Sequence, residues 1–561
     1  MRVSGGTTVP EQVSGALTPE HPLDPVRLGD TDLHVVPEVD QAGGPDAILP
    51  GFGGTLRDGL GVRAGRGGVE LAIVGGLLLD PVLGIRRTSI GITDGRIVAI
   101  GRAGNPDTMD DIDVVLDPAT AVLDAVGLIV TPGAIDPHVH WLSPQVASTA
   151  LAGAITTVVI QDFGPVWNLG CNPAEGLAAT WAALEAVPLN AALLVRGSSA
   201  TRDRVEAGLR AGGAGLKIHE DVAAGPEQIR TALDLCDEYD VQLAIHTDGL
   251  NEALSAADTV AAFAGRTVHA FHIEGVGGGH APNLLDLAGE PNLLTSSTSP
   301  TLPYGVHAVA EHLEMVSAVH VLYPHQRAGD REAVTLRVRA RTMAAEGVLH
   351  DLGVIPMMSS DSQGMGRIGE VVRRTFQTAD VMKRVRGAGA GPADNERVLR
   401  YLAKLTVNVA ITHGLQAHVG SLQPGRLADA VIWQPNLFGV RPEIVVKSGI
   451  AAWGASGDGN ATTILAEPTR IAAQIGALGT NPARLSLAFL AGASMDADLA
   501  TARPRARVEN CRGLSAADMV RNDRRGVVRV DPAGGPVTLD GEPMEAPAVD
   551  EVALSGRYLL G

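Results

Sequence analysis

The chain has 561 residues, 45% of them apolar, which is enough for a large buried core in two or more domains. Its formal net charge of −19 is spread along the chain and argues against nucleic acid or anionic membrane surfaces as partners. Cys171, Cys236 and Cys511 are widely spaced and form no CxxC, the start is polar without a signal-peptide pattern, and no apolar run reaches the roughly 18–20 residues of a membrane helix; a cytoplasmic, globular protein is expected.

Residues 1–24 carry Gly, Ser, Thr and Pro without periodicity and read as a loose arm. From Val26 to about Val126 short apolar runs alternate with Gly and Asp. Val69–Val74 and Thr88–Ile100 are the clearest strands, and Asp94-Gly95 inside the second predicts a hairpin.

After residue 127 the rhythm changes. Strand candidates recur near Leu128, Thr156–Ile160, Ala192–Val195, Gly215–Ile218, Gln242–Ile245, Thr267–Val268, Asn292–Leu294 and Val354–Met357, with helix-like patterns such as Pro226–Glu238 between most of them. This alternation predicts an α/β fold, a (β/α)8 TIM-type barrel inserted into a β-rich composite domain. The expected boundaries are 1–127 for the first part of the β-rich domain, 128–419 for the barrel, 420–475 for the second β-rich part and 476–561 for a C-terminal extension. The gap before the eighth strand is about twice the others. It reads as an insertion near 300–350 that could cover the barrel mouth.

The expected strand ends carry the chemistry. Leu128–Val130 is an apolar run, and the chain extends from it to His138 and His140, which two-residue spacing directs to one side. The fourth strand offers Lys217 and His219, the fifth His246, the sixth His272 and the eighth Asp361. Any one of these histidines could be an ordinary core residue. Ligand types at five corresponding strand ends are hard to explain by packing.

Four histidines and an aspartate exceed the needs of one tetrahedral ion with an open position, so two metals are expected. Two close cations need a bridging anion. A lysine among cations is driven to its neutral amine, which can capture carbon dioxide, so Lys217 as a carbamate would supply one oxygen to each ion.

The segments Gly215–Asp221, Ala244–Asp248, Gly265–Pro282, Leu349–Gly353 and Ser359–Arg367 resemble the urease alpha (catalytic) subunit of the amidohydrolase superfamily. The resemblance runs from Val26–Leu33 to Cys511–Val520 and so covers nearly the whole chain.

It implies two Ni2+ bridged by carbamylated Lys217, with His246 and His272 completing one ion and His138, His140 and Asp361 the other. It implies a hydrolase that cleaves urea to ammonia and carbamate through a metal-bound hydroxide. His219 would bind the urea carbonyl oxygen, and Gly277 and Gly364 would border the substrate with it. His320 would be the histidine of a mobile flap, Asp221 its carboxylate partner and Arg337 the flap-side arginine. The family assembly would add separate urease beta and gamma subunits, nickel-loading accessory proteins and a trimer of heterotrimers.

The chain departs from the family pattern in places. Val319 stands where urease flaps commonly carry cysteine, Gly364 replaces a usual alanine, and Val409 replaces a usual proline. At the second strand end, a glycine-rich GGGTGP-type segment is replaced by Ile160-Gln-Asp-Phe-Gly-Pro-Val-Trp167. Two other readings follow: a dimetal amidohydrolase acting on another amide, a substituted urea or a cyclic ureide, and a non-catalytic urease-like subunit.

Overall fold

A computed structural model describes residues 24–42, 61–162, 174–219, 224–246, 256–275, 283–319, 334–335, 338–389, 393–457, 470–531 and 533–555. Its first large sheet is β-rich. Leu71–Asp80, Gly84–Thr93 and Arg96–Gly101 form an antiparallel meander. The expected hairpin turn is there, with Asp94 and Gly95 both at positive φ (51° and 70°), the backbone a tight two-residue turn requires.

Strands from beyond the barrel complete this sheet: Ala430–Trp433, Ile444–Lys447, Ile450–Ser456 and Arg470–Ala473. The two halves share one apolar core in which Ile73, Leu78 and Ile90 meet Ile432 and Val446.

The run beginning at Leu128 does not start the barrel. Ile129–Pro132 lies between the two halves of the β-rich sheet, parallel to Leu77–Leu78 and antiparallel to Ala430–Trp433. The chain crosses into the barrel at Gly133, where an added Cβ would collide with the side chain of Thr156. The first barrel strand is Ala134–His140, every residue of it buried. The sequence joins these two strands because both are buried and only Gly133 separates them.

The barrel strands follow in chain order, each parallel to the last: Ile155–Asp162, Asn190–Arg196, Gly215–Ile218, Gln242–His246, Val268–Phe271, Leu293–Thr298 and Met357–Ser359. The ring is closed just past the eighth strand. His140 donates its backbone N–H to the Ser362 carbonyl at 2.9 Å, and Ser362 N donates to the His138 carbonyl at 3.3 Å. The expected helix forms over Pro226–Tyr239, with proline in its first turn and Ile229, Leu233 and Cys236 buried on one face. Between the seventh and eighth strands lie the helices Ala308–Val319 and Ala340–Leu352.

The residues after 476 attach to the barrel. Ala488–Leu490 pairs parallel with the third barrel strand, and Arg505–Arg507 lies beside it. A buried junction ties the β-rich sheet to that same strand. Asp429 accepts from the Lys447 ammonium, from Asn190 Nδ2 at 2.7 Å and from Ser448 N at 2.9 Å. Pairing of this kind is what makes a fully buried lysine tolerable. Among the described residues no helix is long and apolar enough to cross a membrane.

Candidate metal centre

Active sites of such barrels form at the C-terminal strand ends, and the expected ligands collect there. His138 and His140 close the first strand, and Asp361 follows the eighth. His138 Nε2 lies 3.3 Å and His140 Nε2 3.2 Å from Asp361 Oδ1. The three offer one ligand atom each within 4.8 Å of one another, all buried, which fits a divalent ion of the nitrogen- and oxygen-loving kind.

A second group faces them. His272 Nε2 lies 3.0 Å from His246 Nδ1, and the His219 ring is centred 4.3 Å from that of His246. The His138 and His272 rings, one from each group, are centred 5.6 Å apart. Lys217 is fully buried, its Nζ 3.9 Å above the Phe271 ring, and its charge acts on both His138 and His219.

Electrostatics prepare these groups as ligands. Burial, followed by the positive charge of Lys217, holds His219 well below its ordinary pKa. His138 is likewise held low by burial, against the pull of Asp361. Neutral imidazoles are what a metal requires. Burial would raise the Asp361 carboxyl, but His138 and His140 outweigh it and leave the group far below the usual carboxylate range.

Backbone strain marks the same place. His272 (φ 35°) and Asp361 (φ 56°) both occupy the left-handed region, which is costly for residues with a side chain and concentrates at functional sites. An added Cβ at Gly364 would collide with Asp361 Oδ1 and stand 3.0 Å from His140 Cδ2, so this glycine passes against the ligand cluster.

The fold thus brings together His138, His140, Lys217, His219, His246, His272, Asp361 and Gly364. His320, Asp221, Arg337 and Gly277 lie outside the described residues, His320 being next in sequence after the helix Ala308–Val319.

Sequence reasoning passed over three supporting residues. Asp136 Oδ1 accepts from His138 N and Ser360 N; Phe271 stacks on His138 at 4.1 Å between ring centres; Gln161 binds the Pro137 carbonyl. Asp136 could have been found, because a carboxylate two residues before His138 is within reach of that residue's backbone N–H. Phe271 and Gln161 carried no sequence signal, since their roles depend on contacts between strands.

A (β/α)8 barrel with such candidate ligands at its strand ends has the architecture of an amidohydrolase, and residues 129–461 match the amidohydrolase family model. Residues 19–123 match the N-terminal domain of the urease alpha subunit. The chain is 49% identical to urease subunit alpha 1 of Streptomyces avermitilis and 48% to urease subunit alpha 2 of Streptomyces coelicolor. Each similarity covers 96% of this chain and 97% of the relative. A D-hydantoinase structure from Thermus sp. is similar at 17% identity and a TM-score of 0.49, covering 68% of this chain and 95% of that one. The chain belongs to the urease alpha-subunit family. A dinuclear metal centre follows from that membership.

Proposed function

We propose that the chain is the catalytic subunit of a urease, hydrolysing urea to ammonia and carbamate. The observation that carries this reading is the meeting of His138, His140, Asp361, Lys217, His246 and His272 at one barrel mouth, in a chain nearly half identical to urease alpha subunits. Two nickel ions held there would supply Lewis acidity and lower the pKa of water. His138, His140 and Asp361 would hold one ion, His246 and His272 the other, and the neutral amine of Lys217 would take up carbon dioxide, losing a proton, to give the bridging carbamate.

The remaining residues act on the substrate. His219, kept neutral by burial, can donate to the urea carbonyl oxygen. By the family resemblance His320 would move a proton to the departing ammonia, with Asp221 as its carboxylate partner and Arg337 as the flap-side arginine. Gly277 and Gly364 would let main chain approach the substrate. The beta and gamma subunits, nickel-loading proteins and a trimer of heterotrimers belong to the same proposal, as do the cytoplasmic location and the divisions at 419 and 475, with the first division moved to Gly133.

The test is ammonia release from urea by the nickel-loaded chain co-expressed with its small subunits. Turnover that disappears in His320→Ala supports the reading. Two bound ions without urea turnover would overturn it. The altered segment from Ile160 to Trp167 favours substituted ureas and cyclic ureides as the next substrates to assay.

A further inference from the structure

The first two barrel strands do not pair evenly. Asp136 lies opposite Val158 and Val139 opposite Ile160, so Pro137 and His138 together face the single residue Val159. An extra residue of this kind bends the strand and takes backbone groups out of the ladder. Here that bend falls on the first proposed metal ligand.

Side chains hold the displaced peptide at both ends. The Pro137 carbonyl accepts from Gln161 Nε2 at 3.0 Å, and the N–H of the same peptide unit, on His138, donates to Asp136 Oδ1 at 3.1 Å. Gln161 is fully buried at the end of the second strand, and Asp136 is almost fully buried. A peptide plane fixed at its oxygen and at its nitrogen fixes the His138 Cα, and with it the direction in which the imidazole leaves the strand. Glycine could not make this contact, and Gln161 sits where the family pattern is glycine-rich.

We propose that Gln161 is a positioning residue for the His138/His140 ligand pair, its side-chain amide clamping the bulged Pro137–His138 peptide. The assignment rests on the reading of His138, His140 and Asp361 as ligands of one ion. It makes Gln161 a support for the metal site, with consequences for ion retention ahead of substrate choice.

Two variants of similar length test this in the full chain loaded with Ni2+ and bicarbonate. Gln161→Met keeps the volume and removes the donor. Gln161→Glu removes the donor when ionised and restores an O–H donor when protonated. The readouts are the rate of nickel extraction by EDTA, together with kcat and KM for urea.

Gln161→Met should lose nickel roughly 10–100-fold faster than the parent, the usual scale for residues supporting a metal ligand, with kcat falling and KM nearly unchanged. Gln161→Glu should match it at high pH and hold nickel better than Gln161→Met as the pH falls. Parent-like retention in Gln161→Met, or identical behaviour of the two variants at every pH, would overturn the assignment. A parent chain that takes up no nickel would instead overturn the metal reading beneath it.

Discussion

Asp136 Oδ1 lies 3.0 Å from the backbone N of Ser360 and 3.1 Å from that of His138, so one buried carboxylate oxygen ties the last strand of the barrel to the first. All three proposed ligands of one ion, His138, His140 and Asp361, stand within two residues of that seam. Burial pushes the Asp136 carboxyl up to about 6 despite the hydrogen bonds it accepts from Ser360 and His138.

Removing this acceptor leaves two buried N–H groups without it, at a cost of about 1–3 kcal/mol for each one left unsatisfied. Asp136→Ala should therefore weaken nickel binding by about 10–100-fold. Asp136→Asn, which keeps a carbonyl oxygen, should lose far less. Nickel titration of both apo variants checks this, and parent-like affinity in Asp136→Ala would contradict it.

Lys217 should be the less forgiving position. It is fully buried, with the Phe271 ring beneath its Nζ, and it is the proposed source of the anion between the two ions. Lys217→Ala should abolish both nickel uptake and urea turnover. Loading the parent without bicarbonate should leave it with less nickel than loading with bicarbonate. Full activity of Lys217→Ala would refute the bridging carbamate.

Much of this arrangement was legible in the sequence because each proposed ligand sits at the end of a short apolar run, and runs alternating with helices specify a barrel. The hairpin at Asp94-Gly95 was legible for a local reason, since two residues at positive φ demand those residue types. The boundary at Gly133 was not. Ile129–Pro132 and Ala134–His140 are both buried and follow one another across a single glycine, and only pairing with Leu77 and Trp433 shows that the former belongs to another sheet. The C-terminal strands hid for a similar reason. Ala488–Leu490 and Arg505–Arg507 are three residues each, too short for periodicity; the former gains its structure from the third barrel strand and the latter from the former.

The thiols give an independent check on packing. Cys236 and Cys511 are both buried, and burial pushes the Cys236 thiol up to about 12 and that of Cys511 well above its usual value. Reagents attack thiolates, so neither should react in the native protein at pH 8. Val319 stands where the proposed flap would carry a cysteine, so alkylation has no thiol there through which to affect urea hydrolysis. Mass spectrometry after brief iodoacetamide treatment should find both cysteines unmodified until the protein is unfolded. Modification of either one under native conditions would show that the barrel's outer layer opens more readily than its packing implies.

Acid sensitivity should come in part from a histidine pair outside the metal ligands. His413 Nε2 lies 3.0 Å from His269 Nδ1, and His269 Nε2 lies 3.0 Å from Ser296 Oγ, all buried. Burial drops His413 to about 3, against about 6.5 for an unfolded chain. Between these values the unfolded chain binds the proton and the folded one refuses it, so stability rises with pH across this window. The contribution is fully present above about 6.5 and is lost on acidification, by about 1.4 kcal/mol per pH unit from this group at most. Replacing the imidazole with a side chain that does not titrate removes that proton uptake. Guanidinium unfolding at pH 7, 6 and 5 should therefore show a shallower pH dependence for His413→Gln than for the parent, even though the variant starts less stable. Equal slopes would mean that His413 accepts its proton without unfolding.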